Sequence, residues 1–469
     1  MMAASVMLPL RGPVRIALTP LAWLLAAVGA AVRRPSLVVA GTVLLVCLPS
    51  RITDVSESGH VTPADAAAGA VVAVVAVRLL AGERSAARRG WLPFAGVLVA
   101  LALATVTADD VALSLVGFVR YAELFVLVPV AVAMSLRDRL DVLLVAGAII
   151  SVTLAEGAIG FYQYLTGTGA TYGGQYVRAV GTFGPDQVLA LGALLGYGLL
   201  VTLALGLALR GRARIALLAA AAFLVVPLGL TLSRGAWIAT AGAVLILLVI
   251  AAWRAVVALA GVAALAGVFL LFGGGSADPS SGRIDQRVTS IVSSGSQPDQ
   301  SVEDRYALWH TAIAMWRAHP VAGVGLKDFA HYRDSYASIG LSAGSDVGSK
   351  SSGISREPLL SAHNQYLMVL SEQGTAGILA FGVLLGSLTI GAVRRRPVHM
   401  PAEQRFLDLA APGLMVWTLI DFAYGDVGAG PISALLAVVL GLIARRSLIL
   451  PGPMPVPVPV PVPMPVPAS

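Results

Sequence analysis

The sequence predicts an all-α, polytopic membrane protein with one large extracytoplasmic loop late in the chain. Of the 469 residues, 57% are hydrophobic and only 12% are charged, a balance outside the usual range of soluble domains. Apolar runs of roughly 17 to 25 residues, long enough to cross the hydrocarbon core of a bilayer, recur along most of the chain. Short loops between alternate runs hold clusters of arginine, which is how a membrane protein signals its orientation.

Twelve apolar runs account for the predicted transmembrane helices. They cover residues 36–50, 64–82, 91–108, 111–134, 141–166, 187–209, 213–231, 235–252, 255–273, 374–392, 405–424 and 430–446. The positive-inside rule places the arginine-bearing loops in the cytoplasm and the alternate loops outside it. The net charge of +7 is therefore interpreted as topology, and no nucleic-acid partner is expected.

Five segments follow from this pattern. They are an N-terminal interfacial or re-entrant segment (1–35), transmembrane helices one to nine (36–273), an extracytoplasmic loop subdomain (274–373), transmembrane helices ten to twelve (374–446) and a proline-rich cytoplasmic tail (447–469). Alternating proline in the tail excludes helix and sheet and favours polyproline II, so we assign the tail no catalytic role. The single cysteine, Cys47, excludes an intrachain disulfide and a cysteine-based metal site.

The large loop contains two predicted helical stretches. In the first, an apolar stripe of Tyr306, Trp309, Ile313 and Trp316 recurs at three- and four-residue spacing. The second begins near Pro358 and places His363 on a short helix at the outer membrane surface. The loop is thus predicted to be a lid with its own small core.

Four residues that could carry chemistry fall on the predicted extracytoplasmic side, namely Arg178, Arg234, Arg305 and His363. Arginine stays charged when partly desolvated and offers forked donors that match phosphate oxygens, so several arginines above a membrane suit a lipid-linked phosphate or diphosphate. A neutral imidazole can take a proton from a sugar hydroxyl at neutral pH.

Each of these residues also has a structural interpretation. Arg178 is equally compatible with a solvated loop residue, and Arg234 with a side chain that snorkels to head groups or caps a helix. Arg305 has acidic neighbours in sequence at Glu303 and Asp304. A histidine such as His363, taken alone, is more often structural than catalytic.

Three stretches in order along roughly 170–380, "LTLSRGAW", "RYALWHTAIAMWRAHPVAGVGLKDFAHY" and "AHNQYLMVLSEQGTAGIL", resemble the O-antigen ligase and polymerase superfamily. The ligase motif of that superfamily is matched by His363, Asn364, Gly374 and Gly377. Two departures stand out: Ile378 occupies a position where many ligases have a small polar residue, and "GTFGPDQ" replaces a stretch that usually ends in asparagine.

The resemblance implies a metal-independent, cofactor-free glycosyltransferase in a bacterial cytoplasmic membrane. Its donor would be a polyprenyl-diphosphate-linked glycan, and its acceptor a hydroxyl of another glycan or lipid at the outer face of the bilayer. By the same resemblance, His363 would activate the acceptor, while Arg234, Arg305 and Arg178 would hold the diphosphate. Ligase and polymerase activities both remain open.

Two other function classes fit parts of the sequence. A flippase or transporter of lipid-linked sugars would also be polytopic, but internal repeats and charges near the bilayer midplane, which are typical of transporters, are not evident. A metal-dependent polyprenyl-phosphate glycosyltransferase would use acidic ligands in an outer loop, where Asp109 and Asp110 lie. That loop is short and offers no further obvious ligand.

Overall fold

The computed structural model describes residues 28–48, 62–83, 90–172, 177–184, 187–251, 300–337, 341, 345–349, 353–357, 359–394, 401–427 and 432–448. Several predicted features lie outside the described residues. They are most of the N-terminal segment, the ninth span at 255–273, the start of the large loop at 274–299, and nearly all of the proline-rich tail.

Thirteen helices are labelled here in chain order within the described residues: α1 Ser36–Leu45, α2 Pro63–Leu80, α3 Leu92–Val106, α4 Val111–Ser135, α5 Arg139–Thr166, α6 Val188–Ala208, α7 Gly211–Leu230, α8 Arg234–Ala251, α9 Gln300–Ala318, α10 Phe329–Tyr336, α11 Gln365–Val393, α12 Ala402–Tyr424 and α13 Ile432–Ser447. Helix α4 contains a π-helical turn at Glu123–Leu127.

Eight of the helices in the described part of the chain are long and apolar enough to cross a membrane: α2, α4, α5, α6, α7, α8, α11 and α12. Two shorter apolar helices, α1 and α3, occupy the positions of predicted spans. The protein is therefore a helical, multi-pass membrane protein, as predicted. The count of twelve spans and the division into five segments stay predictions.

Local signals in the sequence fix where individual helices begin. Thr62 and Asp65 form a reciprocal capping box, with the Thr62 side chain accepting from the Asp65 N–H, and Pro63 occupies the first helical position of α2. Asp138 and Asp141 form the same box at the start of α5. Each box satisfies backbone N–H groups that the first helical turn cannot pair internally.

The centre of the helical bundle is packed around Trp417 of α12, which is fully buried. Its indole N–H donates to the Thr240 hydroxyl at 3.0 Å, so α12 is joined to α8 by a polar contact inside the core. Gly196 of α6 makes the close approach possible, because a Cβ there would lie 2.4 Å from the indole nitrogen. Tyr197, next in sequence, packs on the same indole with ring centroids 4.1 Å apart.

Polar contacts gather at the two opposite ends of the bundle. At one end, the Arg34 guanidinium donates to the Asp138 carboxylate at 2.9 Å, and the Ser36 hydroxyl donates to Asp141 at 2.6 Å. This is the end predicted to be cytoplasmic. At the other end, the Gln365 N–H donates to the Gly425 carbonyl at 3.0 Å, which joins the start of α11 to the turn after α12.

A small antiparallel sheet, with strand order β2-β1-β3-β4, lies at the same end as the contact between Gln365 and Gly425. Strands β1 (Ala170–Tyr172) and β2 (Val177–Arg178) come from the loop between α5 and α6, whereas β3 (Ser345–Ser349) and β4 (Gly353–Glu357) come from the large late loop. Ala170 pairs with both Arg178 and Ser349. The prediction of an all-α fold missed this sheet, because its strands are short and its two hairpins are far apart in sequence.

The predicted small core of the large loop is present, but its helix packs through a different stripe. Leu308, Ala312 and Met315 of α9 are fully buried together with Phe329 of α10. Tyr306, which was predicted to lie in the buried stripe, is 52% exposed, so that prediction was wrong. The aliphatic and aromatic stripes have the same helical spacing, and the sequence alone gave no reason to prefer the aliphatic one.

Candidate functional site

His363 lies in the turn that immediately precedes α11. Its backbone is left-handed, with a φ of +47°, a conformation that residues other than glycine adopt at a cost. Helix α11 begins at Gln365, with Asn364 as its N-cap. The prediction that His363 sits on a surface helix was therefore wrong: the cap at Asn364 requires an extended backbone, and this excludes a continuous helix through the histidine.

Both polar atoms of the Asn364 side chain, Oδ1 and Nδ2, hold this turn in place. Its Oδ1 accepts from the Leu367 N–H at 3.1 Å, which satisfies a free donor of the first turn of α11. Its Nδ2 donates to the Ala423 carbonyl at 3.2 Å, near the end of α12. The asparagine of the motif is thus both a helix cap and a link between two helices.

The turn after α12 runs beside the histidine turn and contacts it at three points. The His363 N–H donates to the Asp426 carboxylate at 3.1 Å, and the Gln365 N–H donates to the Gly425 carbonyl at 3.0 Å. The Gln365 Oε1 in turn accepts from the Val427 N–H at 2.8 Å. Sequence reasoning missed Asp426 and Gln365, because only the fold brings residues 425–427 next to residue 363.

The environment of the His363 ring favours the neutral imidazole. Burial lowers the pKa of His363, the nearby Asp426 carboxylate opposes this by raising it, and the positive charge of Arg305 lowers it further. The Nδ1 atom lies 3.2 Å from the Ser361 hydroxyl. If Nδ1 carries the proton and donates it to Ser361, Nε2 keeps its lone pair and is the atom that can act as a base.

Arg305 reaches this region because α9 packs on the histidine turn. Leu308, one turn after Arg305, belongs to the same buried cluster as Leu359 and Ala362, which flank the turn on its N-terminal side. The arginine is partly buried, and its charge acts on the His363 ring. The structure therefore brings these two predicted residues together.

Arg178 and Arg234 lie near each other, beside the end of α12. The Arg178 Nε donates to the Thr231 carbonyl at 2.9 Å, three residues before Arg234, which is the first residue of α8. Gly235 lies against Tyr424, the last residue of α12, since a Cβ on the glycine would be 3.3 Å from the Tyr424 Cβ. The end of α12 thus lies against both the start of α8, which carries Arg234, and the His363 turn.

The stretch that follows Arg178 is fixed by two side chains of α5. The Gln163 Oε1 accepts from the Val180 and Gly181 N–H groups at 3.0 and 2.9 Å. The Glu156 carboxylate accepts from the Thr182 N–H at 2.8 Å and from its hydroxyl at 2.7 Å. The "GTF" part of the stretch that resembles the superfamily is therefore a clamped turn, and it restrains the backbone next to Arg178.

The first of the two motif glycines, Gly374, allows a loop to insert into a break in α11. Gly374 has a φ of +64°, and a Cβ there would lie 2.4 Å from the Val321 carbonyl oxygen. On one side of the break, the Val324 N–H donates to the Ser371 carbonyl at 3.0 Å; on the other, the Ala376 N–H donates to the Val321 carbonyl at 3.1 Å. At Gly377, a Cβ would lie 2.2 Å from the Gln373 Cβ. Gly374 thus lets the large loop join the membrane helix, Gly377 leaves room for the Gln373 side chain, and neither glycine is a chemical group of the site.

Left-handed backbone occurs at His363 and close in sequence to Arg234. Among the described residues other than glycine, positive φ values occur at Leu232, Lys327 and His363. Leu232 precedes Arg234 by two residues, and His363 is the candidate base. Strained backbone of this kind persists only where the surrounding structure holds it, and it is common at functional sites.

The two acids considered as metal ligands have structural partners. The Asp110 side chain accepts from the Leu113 N–H at 2.9 Å and caps α4. Asp109 accepts a hydrogen bond from the Tyr332 hydroxyl, and this bond raises the pKa of Tyr332 to about 12. Among the described residues, no group of three or more histidine, cysteine, aspartate or glutamate side chains is arranged to hold a metal ion.

Comparison with known proteins gives one family. Residues 217–382 match the family Wzy_C, described as O-Antigen ligase. The matched region runs from α7 to the first half of α11 and contains Arg234, Arg305 and His363, whereas Arg178 precedes it. No curated protein matches the chain.

Proposed function

Since the chain carries a Wzy_C O-antigen ligase domain at residues 217–382 and so falls in the superfamily that its motifs predicted, we propose that it transfers a glycan from a polyprenyl-diphosphate carrier to an acceptor hydroxyl. The family implies a glycosyl-transferring enzyme of cell-surface polysaccharide biosynthesis. The proposal adds the donor, the acceptor group and the place of reaction, which is the outer face of a bacterial cytoplasmic membrane.

The observation that supports this proposal most directly is the state of His363. A partly buried imidazole near the Arg305 guanidinium, with a lowered pKa, is ready to accept a proton at neutral pH. Its backbone N–H is held by Asp426, so the ring is presented from a fixed turn. A general base needs both a suitable pKa and a fixed position, and the turn provides both.

In the proposed reaction, His363 Nε2 takes the proton of the acceptor hydroxyl as that oxygen bonds to the anomeric carbon of the donor sugar. The bond from this carbon to the carrier diphosphate breaks, and the electron pair leaves with the diphosphate. Arg234, Arg305 and Arg178 bind the diphosphate and stabilise the charge that develops on it. These steps require no metal ion, so the proposal retains a metal-independent mechanism.

The contribution of Arg305 is twofold in this scheme. Its guanidinium binds the anionic leaving group, and the same charge discourages protonation of His363 before the acceptor arrives. Binding of the diphosphate would partly neutralise Arg305 and so make His363 a stronger base when both substrates are present. The donor would in this way prepare the base for the acceptor.

A His363→Ala variant tests the proposed base. We expect it to reach the membrane in normal amounts and to lose roughly 10²–10⁴-fold in turnover, the usual effect of removing a positioned general base. His310→Ala is the matched control, because His310 is exposed on α9. A well-expressed His363→Ala protein with near-native transfer would show that the histidine is structural.

The glycan profile of a deletion strain separates the two activities of the superfamily. Loss of all polymer from its final acceptor indicates a ligase, because chains are made but not attached. Single repeat units on that acceptor indicate a polymerase. A wild-type profile would contradict both.

A further inference from the structure

Beneath the histidine turn, three polar side chains form a buried pocket, named here the Gln365 pocket, consisting of Tyr121, Gln365 and Glu372. Gln365 and Glu372 are fully buried and Tyr121 is 9% exposed. Gln365 and Glu372 lie two turns apart on one face of α11, and Tyr121 of α4 interacts with both side chains. None of its three residues has a role in the proposed reaction.

Two atoms of this pocket lack hydrogen-bond partners within the described structure. They are the Gln365 Nε2 and the Glu372 Oε2. The other side-chain oxygens are used: the Gln365 Oε1 accepts from the Val427 N–H, and the Glu372 Oε1 accepts from the Phe329 N–H at 3.4 Å. Because the Gln365 Oε1 faces an N–H donor, the amide orientation is fixed and Nε2 must be the atom that faces Tyr121 and Glu372.

We propose that the Gln365 pocket binds water, and that this water fixes Gln365 as the positioning residue for His363. A buried amide N–H₂ and a buried carboxyl oxygen each lose stability when unpaired, and the Tyr121 hydroxyl adds a third polar partner. Internal water usually makes about three hydrogen bonds to polar groups that would otherwise be unsatisfied. The pocket offers that number of partners.

Gln365 transmits this restraint to the base through the turn after α12. Its side chain holds the Val427 N–H, and its backbone N–H holds the Gly425 carbonyl. Asp426, between these two points, accepts from the His363 N–H. A glutamine that is free to change its rotamer would release residue 427, and the Asp426 carboxylate would no longer be held against the histidine turn.

The inference rests on the proposed role of His363 as a base, and it makes a different prediction from a purely structural role. The charged groups that act on the His363 ring are Asp426, which follows α12, and Arg305, which belongs to α9. Asp426 raises the pKa of His363, so a displaced Asp426 allows that pKa to fall further. Loss of the positioning residue should therefore move the acid limb of the activity profile to lower pH.

A Gln365→Met variant removes the amide with little change in side-chain volume. We expect kcat to fall by about tenfold or more, as is typical when a catalytic group is displaced, with donor KM unchanged. The midpoint of the acid limb should move to lower pH. An unchanged midpoint, with activity lost only in proportion to folded protein, would overturn the inference.

Tyr121→Phe keeps the inference testable if Gln365→Met does not fold, because it removes only one hydroxyl. We expect a smaller fall in kcat and a shift of the acid limb in the same direction. Tyr197→Phe is the control: that hydroxyl is also buried and meets the Thr418 hydroxyl at 3.1 Å, but it lies in the helical core away from the turn. Equal effects of the two tyrosine variants on the pH profile would count against the pocket.

Water itself is tested by a cryo-EM map of the full chain in lipid nanodiscs, at a resolution that shows ordered water. Density within hydrogen-bonding distance of the Gln365 Nε2 is expected, and direct bonding of Nε2 to protein atoms would overturn the water site. A His363→Ala protein that remains active would defeat the proposed base but leave this density in place. A native pH profile in Gln365→Met, with His363→Ala inactive, would defeat only the positioning role.

Discussion

The position of His363 is fixed through its backbone, and the pKa of its ring is set by nearby groups. The backbone N–H is fixed by Asp426, the ring nitrogen Nδ1 meets Ser361, and Arg305 lies near enough to act on the ring. A left-handed backbone at a histidine is costly, so the turn is held by neighbouring contacts. As a result, the His363 ring has a fixed position and favours the neutral form.

The lowered pKa of His363 predicts the direction of the pH dependence. The neutral ring is the active form, so activity should fall as pH drops through a midpoint below the ordinary value of about 6.5. Arg305→Gln should move the midpoint of the remaining activity to higher pH, because it removes a charge that disfavours the imidazolium. Arg317→Gln, which changes an exposed residue of the same helix, should leave this midpoint unchanged. The measurement is initial transfer rate against pH.

Arginine-to-lysine changes test how the diphosphate is bound. Arg234→Lys and Arg305→Lys keep the positive charge but lose the forked donors that match phosphate oxygens. We expect both variants to lose most transfer activity while Arg305→Lys keeps the acid limb near its native position. Full activity of both would exclude paired-donor binding, and donor titration of each variant gives the comparison.

At the scale of the element, α11 joins the membrane bundle to the large loop. The helix breaks at Gly374, and the segment around Val321 inserts its backbone into the break. The part of α11 before Gly374 therefore contacts both the large loop, through the Val324 N–H, and the bundle, where the Tyr366 hydroxyl donates to the Leu419 carbonyl. Because the His363 turn directly precedes this part of the helix, we expect a change in the junction to displace the candidate base.

Gly374→Ala should destabilise the protein strongly. A left-handed backbone costs a residue with a Cβ about 1–3 kcal/mol, and the new carbon would lie 2.4 Å from the Val321 carbonyl oxygen. Gly382→Ala on the same helix is the control, because no atom lies within 4 Å of its Cβ position. That change should be neutral or stabilising, by about 0.5–1 kcal/mol. Thermal unfolding in detergent compares the two, and equal melting temperatures would contradict the role of the break.

At the scale of the whole molecule, the candidate site lies at one end of the bundle and the arginine-rich loops at the other. At the second end, Arg446 joins α13 to the end of α11, because its guanidinium donates to the Gly391 and Arg394 carbonyls at 2.9 and 2.6 Å. The sheet at the first end joins the Arg178 loop to the large loop. The proposed reaction requires this first end to face away from the cytoplasm.

Reporter fusions test that orientation. A reporter after Gly275 or Ser345 should read extracytoplasmic, and one after Arg212 or Arg395 should read cytoplasmic, because basic loops are retained inside. A cytoplasmic reading from the large loop would separate Arg305 and His363 from a donor at the outer face. That result would refute the proposed place of reaction even if the family is correct.

The sequence by itself determined the membrane class, most of the helical content and the resemblance to the superfamily. These follow from local properties: apolar length identifies candidate spans, and short motifs such as His363 with Asn364, Gly374 and Gly377 indicate the family that residues 217–382 match. Helix starts at Thr62 and Asp138 were also local, because a cap needs only side chains three residues apart.

Only the tertiary structure decided how these parts meet. Asp426 reaches His363, and Gln365 reaches Val427, through contacts more than sixty residues apart in the chain. The buried stripe of α9 and the sheet between distant loops likewise depend on which partner is present. Periodicity identifies a face but not the surface that covers it, so a single sequence predicts the candidate base and leaves its positioning to the fold.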